Sequence, residues 1–145
     1  MGTLSLNHLT AKAGNIQKSK NTFLSSKLGG SSKLGAVGEG LASKFLINKG
    51  YAIVTRNYHI RGGEIDIVAK KGDIIVFVEV KTRRGSEFGK AFEAINQRKK
   101  HKILLAVRNY LAQENLPAFA SWRCDLIAID LKAAQIRHYK NVFLV

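Results

Sequence analysis

Acidic residues are missing from the first quarter of this chain: no Asp or Glu precedes Glu39, while five lysines do. Across all 145 residues there are only 10 Asp and Glu against 24 Lys and Arg, a formal charge of +14. That surplus makes polyanions the natural partners, nucleic acid first and an acidic membrane surface second. Cysteine is reduced to Cys124, which excludes an intrachain disulfide and a zinc cluster begun by a cysteine pair, and fits a reducing interior. The four histidines, His8, His59, His101 and His138, fall at no spacing that a helical metal pair would use, so they read as ordinary surface or strand residues. No apolar run reaches the length of a membrane span, and the N-terminal segment has no apolar core of a secretory signal. The expectation is therefore a protein without a membrane role, placed by default in the cytoplasm.

What is present suits one domain rather than two. Residues 1–34, rich in Ser, Gly and Lys, read as a flexible basic tail, and 35–145 as the folded part. The tail is either a loose extension or an arm that adds phosphate contacts or targets the protein. From Glu39 onward, 19 basic residues still face 10 acidic ones, so the positive charge belongs to the folded part too.

Apolar spacing predicts a helix from Gly35 that stops at Gly50, with Val37, Leu41 and Phe45 on one stripe, Ala42 and Leu46 offset from it, and Glu39 in the first turn. Strands are expected over 51–59, 64–70 and 74–83, joined by turns at Gly62-Gly63 and at Lys71-Gly72-Asp73. A second helix over 91–113 carries Phe92, Ile95, Ile103, Ala106, Tyr110 and Leu111 and ends before Pro117. Two short strands, 123–130 and 135–138, complete the order α-β-β-β-α-β-β, an α/β fold with a central mixed sheet flanked by helices.

Within this pattern the third strand stands out, because Ile74, Ile75, Val76, Phe77, Val78 and Val80 form an almost unbroken apolar run that also contains Glu79 and Lys81. Such a run reads as a strand covered on both faces. Side chains two positions apart on a strand share a face, so Glu79 and Lys81 emerge together. Asp66 on the preceding strand supplies a second carboxylate. Magnesium takes one or two carboxylates together with water and phosphate oxygens, so Asp66, Glu79 and the carbonyl of Val80 form a sufficient set for Mg2+ or Mn2+. Lys81 would keep the carboxylates ionised and stabilise developing charge, and Glu39 and Glu64 are further candidates for the same cleft. The blander alternative is a same-face ion pair on an exposed strand, worth no more than about 1 kcal/mol.

The segments GAVGEGLASKFLINKGY (35–51), RNYHIRGGEIDIVAKKGDIIVFVEVKTR (56–83), FGKAFEAINQRKK (88–100), WRCDLIAI (122–129) and NVF (141–143) resemble the YraN family of small bacterial proteins. More broadly the chain resembles the PD-(D/E)XK nuclease superfamily, with archaeal Holliday-junction resolvases as the nearest nuclease relatives implied. The resemblance implies a restriction-endonuclease-like fold. It maps the first acidic half-motif onto Asp66, the acid-x-lysine half-motif onto Glu79, Val80 and Lys81, and the acid of the first helix onto Glu39. The motif proline is absent, Ile65 standing before Asp66. Phosphate contacts fall to Arg83 and Arg84 beyond the third strand and to Arg98, Lys99, Lys100 and Lys102 on the second helix, with Gln97 or Lys99 facing the site; the alternative for this helix is a solvated basic face. The functional expectation is a metal-dependent nuclease hydrolysing phosphodiester bonds in DNA, branched or structured DNA included, working as a homodimer if it cuts two strands. Its alternative is a non-catalytic nucleic-acid-binding adaptor that retains the fold.

Overall fold

Alternating and continuous apolar runs build the sheet, and two helices with apolar stripes close its faces. The computed structural model describes residues 3–5, 31–85, 93, 95–117 and 120–143. In chain order the elements are β1 (Thr3–Ser5), α1 (Ser31–Asn48), β2 (Ala52–Ile60), β3 (Gly63–Lys71), β4 (Ile74–Arg83), α2 (Gln97–Gln113), β5 (Trp122–Asp130) and β6 (Gln135–Tyr139). They form one six-stranded sheet in the order β1-β6-β5-β4-β3-β2. The expected α-β-β-β-α-β-β order is present, preceded by one short edge strand. Of residues 1–34, Thr3–Ser5 pair antiparallel with β6 and Ser31 opens α1, while 1–2 and 6–30 lie outside the described residues.

β2, β3 and β4 make an antiparallel meander, and β4 then runs parallel to β5. A parallel pair cannot be closed by a tight turn, and α2 supplies part of the crossover. β4 is therefore interior to the sheet, as its apolar run implies. Its residues divide between two cores by parity. Val76 and Val78 face Ala42, Phe45 and Leu46 of α1, whereas Ile75 and Phe77 face Ile103, Ala106, Val107 and Tyr110 of α2. Phe45 and Tyr110 are core residues, as their helical spacing indicates; Phe92 lies outside the described residues.

Both helix starts differ from the sequence expectation. α1 begins at Ser31 rather than Gly35, because Leu34 extends the half-buried stripe of Val37 and Leu41 back by one turn. Glu39 consequently sits in the helix interior and not in its first turn. α2 begins at Gln97, where Asn96 holds an extended backbone and its side chain accepts a hydrogen bond from Lys99 N–H at 2.9 Å. An asparagine in this role satisfies one of the orphan donors of a helix start, and the sequence expectation of a continuous helix from residue 91 overlooked it.

Two glycines set how closely the helices approach. A Cβ at Gly38 would stand 2.9 Å from the Thr82 Cβ, and one at Gly63 would stand 2.5 Å from the Lys102 carbonyl oxygen. Only a residue without a side chain lets α1 lie on the end of β4 and α2 lie on the start of β3.

Candidate active site

The parity that divides the two cores along β4 continues past the last core residue. Val80 and Thr82 turn to the α1 side, Thr82 against Gly38, and Glu79 and Lys81 turn to the α2 side. The strand is still interior there, so Glu79 is carried into the protein: its side chain is 2% exposed. One oxygen, Oε1, receives two ammonium groups, Lys81 Nζ at 3.1 Å and Lys99 Nζ at 3.2 Å. The other, Oε2, is buried without a hydrogen-bond partner. A desolvated carboxylate oxygen left unpaired costs on the order of 1–3 kcal/mol or more, and natural folds keep such atoms where something else binds them.

Asp66 approaches from β3. The paired β3–β4 ladder ends at Ile67 opposite Val78, so Asp66 and Glu79 stand just past the point where the two strands stop pairing. There the Asp66 carboxylate takes the place of a strand partner: Val80 N–H donates to its Oδ2 at 2.7 Å. Burial, reinforced by the charge of Glu79, raises the Asp66 carboxyl to about 7, against the pull of the Val80 donor and of Lys99. Two carboxylates brought together out of water resist being ionised at once. A divalent cation between them would remove that resistance.

Lys99 is the residue that α2 delivers to this cleft. Burial alone would pull its ammonium down, but the hydrogen bond to Glu64 and the charges of Glu79 and Glu64 outweigh burial and raise it. Its bond to Glu64 Oε1 is 2.7 Å, and that bond is the main reason the Glu64 carboxyl lies below its ordinary range. Lys99, one of six residues expected to bind phosphate, thus forms part of the carboxylate cluster, as one of the two residues expected to face the site. Gln97, Arg98, Arg83 and Arg84 are exposed, and Lys100 and Lys102 are half-buried. No acidic residue occupies the first turn of α2, although three basic ones do. Cations at the positive end of a helix dipole are unfavourable, so this arrangement leaves a field open to an anion.

Glu39 lies on the opposite side of the sheet from Lys99. Its charge still reaches Asp66 and helps raise it, but its own carboxylate is held by Arg56 at 3.6 Å. The structure thus brings Asp66, Glu79, Val80, Lys81, Lys99 and Glu64 together, with Glu39 acting on Asp66 through its charge from the α1 side. Among the described residues no three His, Cys, Asp or Glu side chains converge as a metal cage would have them. The donor set is a carboxylate pair, which fits a hard cation that keeps much of its water and excludes a closed structural zinc site.

Residues 38–129, a segment containing every member of this cluster, match the model of a family described as "Uncharacterised protein family UPF0102". The chain belongs to that family. A UPF0102 protein of Carboxydothermus hydrogenoformans is 44% identical over 112 residues, covering 76% of this chain and 94% of its own. One from Alkaliphilus oremlandii is 44% identical over 115 residues, covering 77% and 97%, and one from Chloroflexus aurantiacus is 42% identical over 110 residues, covering 76% and 89%. Of the resemblances read from the motifs, the one to the family of small bacterial proteins is therefore shown, and the UPF0102 match begins at Gly38, the glycine that seats α1 on β4.

A second polar cluster escaped the sequence reading. Asp125, fully buried on β5, accepts from Arg123 Nε at 2.9 Å and from Asn141 N–H at 2.9 Å, and lies 2.8 Å from His138 Nε2. Arg123 also donates to the Tyr51 hydroxyl at 2.9 Å, and the His138 ring meets Phe45 and Tyr51 edge-on. Although burial opposes it, the His138 and Arg123 bonds hold the Asp125 carboxyl below its ordinary value. His138 is a strand residue, as expected, but it is buried and bonded, not an ordinary surface group. Cys124, which precedes Asp125 but turns into the α2-side core, is buried, which pushes the thiol up to about 12 and leaves it unreactive. No described helix is long and apolar enough to cross a membrane.

Proposed function

We propose that this UPF0102 protein is a metal-dependent nuclease that hydrolyses phosphodiester bonds in DNA, branched or structured DNA included. The observation that carries the reading is Glu79: a carboxylate 2% exposed, with one oxygen neutralised by two lysines and the other without any hydrogen-bond partner, next to Asp66. A structural ion pair has no reason to bury an orphan oxygen, whereas a ligand for a cation does. Asp66, Glu79 and the Val80 carbonyl would hold Mg2+ or Mn2+, and Asp66 is already fixed by the Val80 N–H. When bound, the cation supplies charge neutralisation at the phosphate and makes a nearby water a better nucleophile.

The chain's own groups do the rest. Lys81, 28% exposed and anchored on Glu79 Oε1, has its ammonium at the mouth of the cleft, where it can hold the attacking water in line or meet charge developing on the phosphate oxygens. The basic start of α2, next to Lys99, together with Arg83 and Arg84, which follow Lys81 closely in the chain, would supply contacts to backbone phosphates rather than base edges. The test is calorimetry of Mn2+ binding with cleavage of branched, flapped and single-stranded DNA. Wild type should bind Mn2+ and cut, and Glu79→Ala should do neither; binding of DNA with no metal-dependent nicking refutes the reading.

One observation favours the adaptor alternative, in which the fold binds nucleic acid without turnover. Lys81 and Lys99 both crowd Glu79 Oε1, so a single carboxylate oxygen is already matched by two positive charges. On that reading DNA binding is salt-sensitive and is unchanged by Asp66→Asn in EDTA.

A further inference from the structure

Glu64 is the carboxylate of the cluster that the proposed chemistry does not use. It sits at the start of β3, where Gly63 allows α2 to close on the strand, and its side chain is 45% exposed while that of Lys99 is 19% exposed. Its Oε1 takes Lys99 Nζ at 2.7 Å and its Oε2 lies 3.7 Å from His59 Nδ1. It thus presents two anionic oxygens to two cationic or protonatable groups at the rim, a poor imitation of a phosphodiester, which also offers two non-bridging oxygens.

We propose that Glu64 stands in for a backbone phosphate of the nucleic-acid strand, and that Lys99 with His59 forms a phosphate subsite vacated when Glu64 is displaced. This rests on the nucleic-acid part of the reading above and not on turnover. Three features make the exchange feasible. The Glu64 side chain is 45% exposed at the rim, so a competing anion can reach its place beside Lys99 from solvent. Lys99 is held independently by Glu79 Oε1 at 3.2 Å and by the close approach of α2 to Gly63, so its ammonium keeps its position when Glu64 leaves. The first turn of α2 carries Arg98, Lys99 and Lys100 and no acid, so the helix end brings no competing anion of its own.

The experiment is fluorescence anisotropy of a labelled four-way DNA junction with the full chain in EDTA, over a range of salt. Glu64→Gln should bind about fivefold more tightly than wild type and steepen the dependence of affinity on salt by about one phosphate contact. Glu114→Gln, which removes the same charge from the far end of α2, should leave the salt slope unchanged. Lys99→Gln should weaken binding, and adding Glu64→Gln to it should bring no further gain. Thermal melts of each variant confirm that it is folded. The proposal is overturned if Glu64→Gln binds no more tightly than Glu114→Gln, or if its gain persists in the Lys99→Gln background. It is also overturned if Glu64→Gln loses Mn2+ binding in calorimetry, which would make Glu64 a metal ligand. Tighter binding through Lys99 by a protein that never cleaves would sink the nuclease reading and leave this subsite standing; cleavage with no Glu64 effect would do the reverse.

Discussion

Replacing Asp66 by Asn should separate stability from function. In the folded protein burial and Glu79 raise this carboxyl from 3.8 to about 7, so the fold binds its proton more tightly than the unfolded chain does. The stability it contributes is complete below about 3.8, falls as the pH rises towards 7, and is absent above. The gap between those values, at about 1.4 kcal/mol per pH unit, sets a ceiling of about 4 kcal/mol. Because Asp66 is only partly enclosed and can draw in water, about 2 kcal/mol is the realistic size. Asparagine keeps the shape, still accepts from Val80 N–H, and never ionises. In EDTA at pH 8, Asp66→Asn should therefore be more stable than wild type, with Tm higher by about 6 °C, and the two should converge at pH 4. Adding Mn2+ at pH 8 should raise the wild-type Tm and leave the variant where it was. A variant less stable than wild type at pH 8, or a gap that does not close on acidification, would show that Asp66 is a structural carboxylate and not one held under repulsion.

Gly38→Ala should cost about 1–3 kcal/mol in urea unfolding, since its Cβ would press on Thr82, while Gly40→Ala, with nothing within 4 Å, should stabilise α1 by about 0.5–1 kcal/mol. The reverse order of the two would contradict the close helix–strand approach. Asp125→Ala should lose about 3–5 kcal/mol, because the Arg123 guanidinium loses its buried anion and His138 Nε2 and Asn141 N–H lose their hydrogen-bond partner. In wild type the same carboxyl lies below 3.8, so its contribution is present above that value and lost as the pH falls through the lower folded one; urea melts at pH 6 and pH 3 should show wild type and Asp125→Ala drawing together at the acid end.

The fold was legible wherever apolar pattern dominated. β4 occupies 74–83 as read, because an almost unbroken run of β-branched and aromatic residues suits an interior strand. The helix ends were less legible, since Ser and Gly concealed the Leu34 turn of α1 and a single Asn side chain set the start of α2. The site was partly legible for the same reason: Glu79 and Lys81 share a face by strand parity, a relation that spans two residues. Lys99 could be named only as one of two residues facing the cleft, because which of Gln97 and Lys99 does so depends on the rotation of α2. Gly38 and Gly63 carried no visible sign of their roles, as a glycine against a neighbouring backbone looks no different in sequence from one in a loop.

By itself, then, the sequence determined the α/β order, the interior strand, the basic charge and the carboxylate–lysine pair, all of which are local patterns or sums over composition. Only the tertiary structure decided that Glu79 keeps one orphan oxygen, that Lys99 and Glu64 pair beside it, that Glu39 meets Arg56, and that Asp125 gathers His138 and Arg123. Hydrogen bonds and ion pairs act over about 3 Å. Which residues come within that distance depends on strand register, helix rotation and the approach of one backbone to another, and none of these is written in the spacing of residues along the chain.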